Sequence, residues 1–228
     1  MIGIIVELIL SWLLLWLMVK KDLSALGLKP GRDRIRNLLA GLLLATVSCT
    51  GYHLMTTALA DNSWTLNTAL TLQALLARTW WTLKSVIFEE LIFRGALLYI
   101  AIEKWGPRIA CISSAACFGV YHWFSFGSFG NPFQMAIIFF MTGLFGFALA
   151  WAFAKSSSLY LPTGLHLGWN LVNIVVFSNG PLGDQLFIKA NTNHVEGLLS
   201  LFVFLFQVVA LPVLALVYIR YFMKKRVT

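Results

Sequence analysis

The chain is poor in charge. Only 11% of its 228 residues are Asp, Glu, Lys or Arg, while 59% are hydrophobic. Soluble domains carry about 25% charge, so a water-facing globule is excluded. Mean hydropathy of +0.81 also excludes a disordered chain, because apolar content this high collapses. Cysteine is scarce, and Cys49, Cys111 and Cys117 all lie in apolar runs, where they act as small hydrophobes and imply no disulfide framework. The sequence has no serine nucleophile elbow, no GxxxxGK phosphate loop and no HExxH zinc motif. It shows no internal repeat or linker either, so it reads as one domain, 1–228. The charge that remains is lopsided, 17 Lys+Arg against 9 Asp+Glu. Those cations sit between apolar runs and therefore signal membrane topology rather than nucleic-acid binding.

What the sequence does have is long apolar stretches. A spanning helix needs about 20 such residues, and seven segments qualify: roughly 2–19, 38–60, 80–102, 109–126, 133–153, 159–177 and 197–221. The expected fold is all-α, a polytopic transmembrane helix bundle of about seven spans. The first run lacks a basic leader and is followed by Lys20 and Lys21, as in an anchor with an exported N-terminus. With the N-terminus outside, 13 cations fall on the inner side against Arg78, Lys84 and Lys189 on the outer side. That bias predicts an N-out, C-in arrangement. Residues 64–79 read either as an amphipathic interfacial helix or as an N-terminal extension of the third span. Residues 178–194, rich in Gly, Asn and Pro, read as an outer loop.

An ionisable side chain in hydrocarbon costs at least ~2.5–3.5 kcal/mol and must face a partner or a wet cavity. The third span nevertheless carries Glu89, Glu90 and Arg94. Adjacent helical residues point about 100° apart, whereas Glu90 and Arg94, at i and i+4, share a face and favour a charge pair. Glu90 is therefore expected to be committed to Arg94, leaving Glu89 free for chemistry. The fourth span places Phe118 and His122 at i and i+4, and the sixth does the same with His166 and Asn170. At 1.5 Å rise per residue, Glu89 lies about 13 Å below the outer end of a span beginning at residue 80. The other three also fall mid-bilayer, so one intramembrane pocket is allowed. Glu89 and His122 come out slightly nearer the outer face. Lone polar residues such as Glu7, His53 and His194 have plainer readings, as caps, pairs or interhelical hydrogen bonds.

Carboxylate plus imidazole in a dry pocket suits general-base activation of water. A second imidazole with a carboxamide suits stabilisation of an oxyanion. Hydrolysis of an amide or ester needs both. A catalytic zinc held by Glu89, His122 and His166 is the alternative, although no spacing demands it.

The segments EELIFRG (89–95), FGVYH (118–122) and HLGWN (166–170) resemble, in order, the EExxxR, FxxxH and HxxxN motifs of the CAAX protease and bacteriocin-processing family of intramembrane proteases. The resemblance covers about residues 80–178. It implies that Glu89 activates the hydrolytic water with help from His122. Glu90, Arg94 and Phe118 would support the site, and His166 and Asn170 would stabilise the oxyanion. It also implies a glutamate-type enzyme without a cofactor, cutting near the C-terminus of a membrane-anchored peptide or protein. The short chain and its cation pattern point to the bacterial branch and to a multi-pass protein of the bacterial inner membrane. The partners expected are the substrate and the lipid bilayer, with no nucleic acid. Two other functions remain open at this point. One is a non-catalytic bacteriocin-immunity or scaffold protein; the other is a small proton-coupled transporter, against which stands the lack of an inverted repeat.

Overall fold

The computed structural model describes residues 1–177 and 185–223, and over these the chain is nearly all α-helix. The helices are α1 (Ile2–Val19), α2 (Arg32–Leu59), α3 (Leu72–Arg94), α4 (Ala96–Ser125), α5 (Pro132–Ser156), α6 (Tyr160–Asn170) and α7 (Gly197–Tyr221). A π-helical turn, Leu171–Phe177, continues α6, and two short strands, β1 (Trp64–Leu66) and β2 (Phe187–Lys189), pair antiparallel. Four helices, α1, α2, α5 and α7, are long and apolar enough to cross a membrane. The helices outside that set, α3, α4 and α6, carry Glu89, Glu90, Arg94, His122, His166 and Asn170.

Several sequence expectations shift. The third apolar run, 80–102, is not one helix: α3 begins at Leu72 and stops at Arg94. Gly95 breaks it with non-helical φ −81°, ψ −137°, and a Cβ there would stand 2.1 Å from the Leu91 carbonyl oxygen, closer than any side chain allows. A second break at Gly106, with φ 79° and ψ 162°, precedes Pro107, so the fourth apolar run starts there rather than at 109. Of the segment 64–79, the C-terminal part extends α3, and Trp64–Leu66 forms β1 instead of an interfacial helix. The loop read at 178–194 contains β2, while its residues 178–184, like Lys224, Lys225 and Arg226, lie outside the described residues.

The loops sort to two ends of the bundle. At one end, Leu159 donates its N–H to Leu26 O, Ser158 Oγ to Gly27 O at 3.1 Å, and the Tyr160 hydroxyl to Leu28 O at 3.1 Å. At the other, Asn62 Nδ2 donates to Asn191 O at 2.9 Å and Asn67 Nδ2 to Gln185 O at 3.0 Å, flanking the strand pair. The first group ties residues 26–28 to 158–160, and the second ties 62–67 to 185–191.

The packing that positions the site is between α2 and α6. Gly164 and Gly168 form a GxxxG pair, and small residues at this spacing let helix backbones touch in a membrane. A Cβ on Gly164 would lie 2.3 Å from Leu38 O, one on Gly168 2.6 Å from Leu42 O, and one on Gly41 2.8 Å from Leu161 O. His166 sits between the two glycines, so the helix rests its backbone on α2 and turns this imidazole toward α3.

Candidate active site

At the C-terminal end of α3, Arg94 is fully buried and Glu90 nearly so. Arg94 Nη1 stands 3.2 Å from Glu90 Oε1, the pairing their i,i+4 spacing predicts. The guanidinium also lies on the face of Phe118, 4.1 Å from the ring centroid, and Nη2 donates to Gly146 O at 3.5 Å. A cation over an aromatic face is attracted most strongly when desolvated. Phe118 thus supports Arg94 directly, and it does so because Gly146 has no side chain: a Cβ there would be 2.8 Å from Phe118 Cδ1. Ser114 Oγ, from α4, donates to Phe93 O at 2.8 Å, satisfying one of the carbonyls that α3 leaves open where it stops.

His166 is wedged between the two carboxylates. Its Nδ1–H donates to Glu90 Oε1 at 2.7 Å, and its Nε2 lies 3.8 Å from Glu89 Oε2. The two glutamates diverge along the helix as expected, yet the two nitrogens of one ring reach both, a meeting the spacing rule did not foresee. In the neutral ring the Nδ1 donation leaves Nε2 as the lone-pair nitrogen. Glu89 accepts from Ser85 Oγ through Oε1 at 3.3 Å, while Oε2 has no hydrogen-bond partner among the described residues. His122 follows the same plan. Its Nδ1 donates to Phe118 O at 2.8 Å, which leaves Nε2 open. The Phe118 ring touches both imidazoles, with centroids 4.4 Å from His122 and 6.0 Å from His166.

Glu89, Glu90, Arg94, Phe118, His122 and His166 therefore come together. Asn170 lies one turn beyond His166, half-buried, with no side-chain hydrogen bond among the described residues. The earlier start of α3 puts Glu89 about 26 Å along its helix, which removes the basis for placing it nearer the outer face. Among the described residues no three His, Cys, Asp or Glu side chains stand in a metal-ligating arrangement.

Three participants escaped sequence reasoning. Ser85 holds Glu89 from one turn before it, at a spacing visible in the sequence. The GxxxG pair around His166 was equally legible. Asn173, in the π-helical turn, accepts from His53 Nε2 at 3.1 Å, and His53 also stacks on Phe177 at 5.2 Å. His53 is thus an interhelical hydrogen-bonding residue, as its plain reading held, but a π turn has no sequence signature that would have named its partner. Glu7, on α1, has one carboxylate oxygen buried without a hydrogen-bond partner among the described residues.

Buried carboxylates, imidazoles and a guanidinium from three helices thus meet inside a helical membrane protein. Residues 71–172 match the Rce1-like family model, type II CAAX prenyl endopeptidase Rce1-like. The match covers somewhat under half of the chain, begins at the residue capping α3 and ends just past Asn170, enclosing all three motifs. It is the same family the motifs resemble. No curated protein and no solved structure matches the chain.

Proposed function

We propose that the protein is an intramembrane endopeptidase that hydrolyses a peptide bond near the C-terminus of a membrane-anchored substrate. The observation that carries this reading is that three groups each commit one polar atom to the scaffold and keep one open: Glu89 Oε2, His166 Nε2 and His122 Nε2. Water set beside the 3.8 Å gap between Glu89 Oε2 and His166 Nε2 reaches both at ordinary hydrogen-bond lengths. Glu89 takes the proton, with His122 assisting, as the water oxygen bonds to the scissile carbonyl carbon. The oxyanion is met by the Asn170 side-chain amide N–H and by His166 in its doubly protonated form, in which Nδ1–H stays on Glu90 and Nε2–H donates to the oxyanion. The proton on Glu89 then passes to the amide nitrogen, the C–N bond breaks, and a carboxylic acid and an amine leave. Glu90 orients His166 much as a buried carboxylate orients an imidazole in other hydrolases, and Arg94 balances its charge.

In this reading seven helices cross the membrane with the N-terminus out, the protein resides in a bacterial inner membrane, and no metal takes part. The test is cleavage of a pool of synthetic apolar peptides by the reconstituted protein, read by mass spectrometry. Glu89→Gln and His122→Ala are expected to lose about 10²–10⁴-fold in rate while accumulating normally in the membrane. Wild-type cleavage by Glu89→Gln overturns the reading. One equivalent of zinc with chelator-sensitive turnover overturns its metal-free form. A scaffold or immunity role is favoured by one observation, the complete burial of Glu90, Arg94 and His166. It expects Glu89→Gln to lower thermal stability together with function and no peptide to be cut.

A further inference from the structure

Asn170 stands where two kinds of helix meet. It is the last residue of α6, and the π-helical turn Leu171–Phe177 begins at the next position. Such turns are rare, and they are frequent where a helix carries function. Three contacts hold this one. Asn173 accepts from His53 Nε2 at 3.1 Å. Leu186, just before β2, donates its N–H to Val175 O at 2.9 Å. Phe177 stacks on the His53 ring at 5.2 Å and packs against Trp64 of β1 at 5.0 Å. His53 itself is buried, boxed by the rings of Tyr52, Trp64 and Phe177.

Two asparagines thus lie three residues apart with their side chains in different states. Asn173 is engaged by a residue of another helix, whereas Asn170 is half-buried and makes no side-chain hydrogen bond among the described residues. Side chains three apart on an α-helix are neighbours, close enough for polar ones to hydrogen-bond each other. The proposed reaction needs the Asn170 amide free to donate to an oxyanion, so a second carboxamide within its reach is a competitor. A π turn is wider than an α turn, and three residues in it fall further short of a full circle. Both the turn and the bond to His53 therefore act to keep Asn173 off Asn170.

Resting on the endopeptidase reading, we infer that His53 is a positioning residue: by holding the Asn173 carboxamide to α2, it keeps Asn170 unpaired and available to the oxyanion. Released from His53, Asn173 turns to Asn170, and the oxyanion loses a donor. Neither His53 nor Asn173 touches the substrate.

The test uses the full-length reconstituted protein and the synthetic apolar peptides of the endopeptidase assay. His53→Ala is expected to lower kcat at least about tenfold, part of the loss that follows removal of an oxyanion donor. KM should not change, because that donor acts only in the transition state. His53→Gln, whose amide can still donate to Asn173, is expected to keep the wild-type rate. The deciding variant is His53→Ala combined with Asn173→Ala, which removes the competitor and is expected to recover to within about threefold of wild type. A merely structural role for the bond predicts the reverse, a double variant as slow as the single one, and that result overturns the inference.

The same point is read without catalysis by nuclear magnetic resonance of the protein carrying isotopically labelled asparagine, with Asn170→Ala identifying the Asn170 side-chain signal. Its amide protons are expected to move downfield in His53→Ala and to return in the double variant. An unmoved signal overturns the inference whatever the cleavage rates. A signal that moves and returns in a protein that cuts no peptide sinks the protease and leaves the hold of His53 on Asn173 standing. Cleavage by the wild type with no loss in His53→Ala sinks the positioning role alone.

Discussion

Helices α1 and α6 solve the problem of being in a membrane in opposite ways. Over its 18 residues α1 has a hydropathy of 2.5 and only 11% of them are buried, namely Ser11 and Leu15. Helix α6 has 11 residues and buries six, Leu161, Pro162, Gly164, Leu165, His166 and Gly168. The first is apolar because lipid is its solvent. The second can be short, glycine-rich and histidine-bearing because other helices are its solvent. Hydropathy therefore reports contact with lipid more than depth in the membrane. Helix α6 is too short to count as a span by itself, and α3 and α4 carry the polar groups that meet its His166.

The contrast can be broken at its polar side first. Arg94→Leu leaves Glu90 buried without its cation, a change that costs about 3–5 kcal/mol. Thermal melting in detergent should show loss of most folded protein, and a wild-type melt would mean the cluster is not what holds these helices together. Gly164→Val drives side-chain atoms into the Leu38 carbonyl, with an expected cost of about 1–3 kcal/mol and a loss of cleavage, since His166 moves with the backbone. His53→Ala removes one interhelical hydrogen bond, about 0.6–1.7 kcal/mol, measured by the same melt. On the lipid side, Leu199→Ala on α7, at a residue 52% exposed, should fall within about 0.5 kcal/mol of wild type. A larger effect there would mean that α7 is covered by protein rather than lipid.

Much of this was legible in the residues, for reasons that the same contrast explains. The boundaries of α1, α5 and α7 follow from apolar runs facing lipid, and the Glu90–Arg94 pair follows from helical spacing alone. The motifs identified the cluster because charge is so rare in this chain that three ionisable groups within six residues stand out. What was not legible depends on contacts between distant segments. The end of α3 at Arg94 depends on the backbone at Gly95, where apolar composition continues unchanged and hydropathy has nothing to register. The strand at Trp64–Leu66 exists only by pairing with Phe187–Lys189, 123 residues away at the register Thr65 to Ile188. The wedging of His166 between both glutamates needed the tilt of one helix against another, which no single-helix projection contains.

The backbone contact of α6 with α2 bears on how firmly the site is held. On one flank of α6 there is no side-chain layer to compress, and on the other a 2.7 Å hydrogen bond pins its imidazole to Glu90. Helix α6 is in effect a fixed wall, and the place of its imidazole is decided by two glycines that never touch the carboxylates.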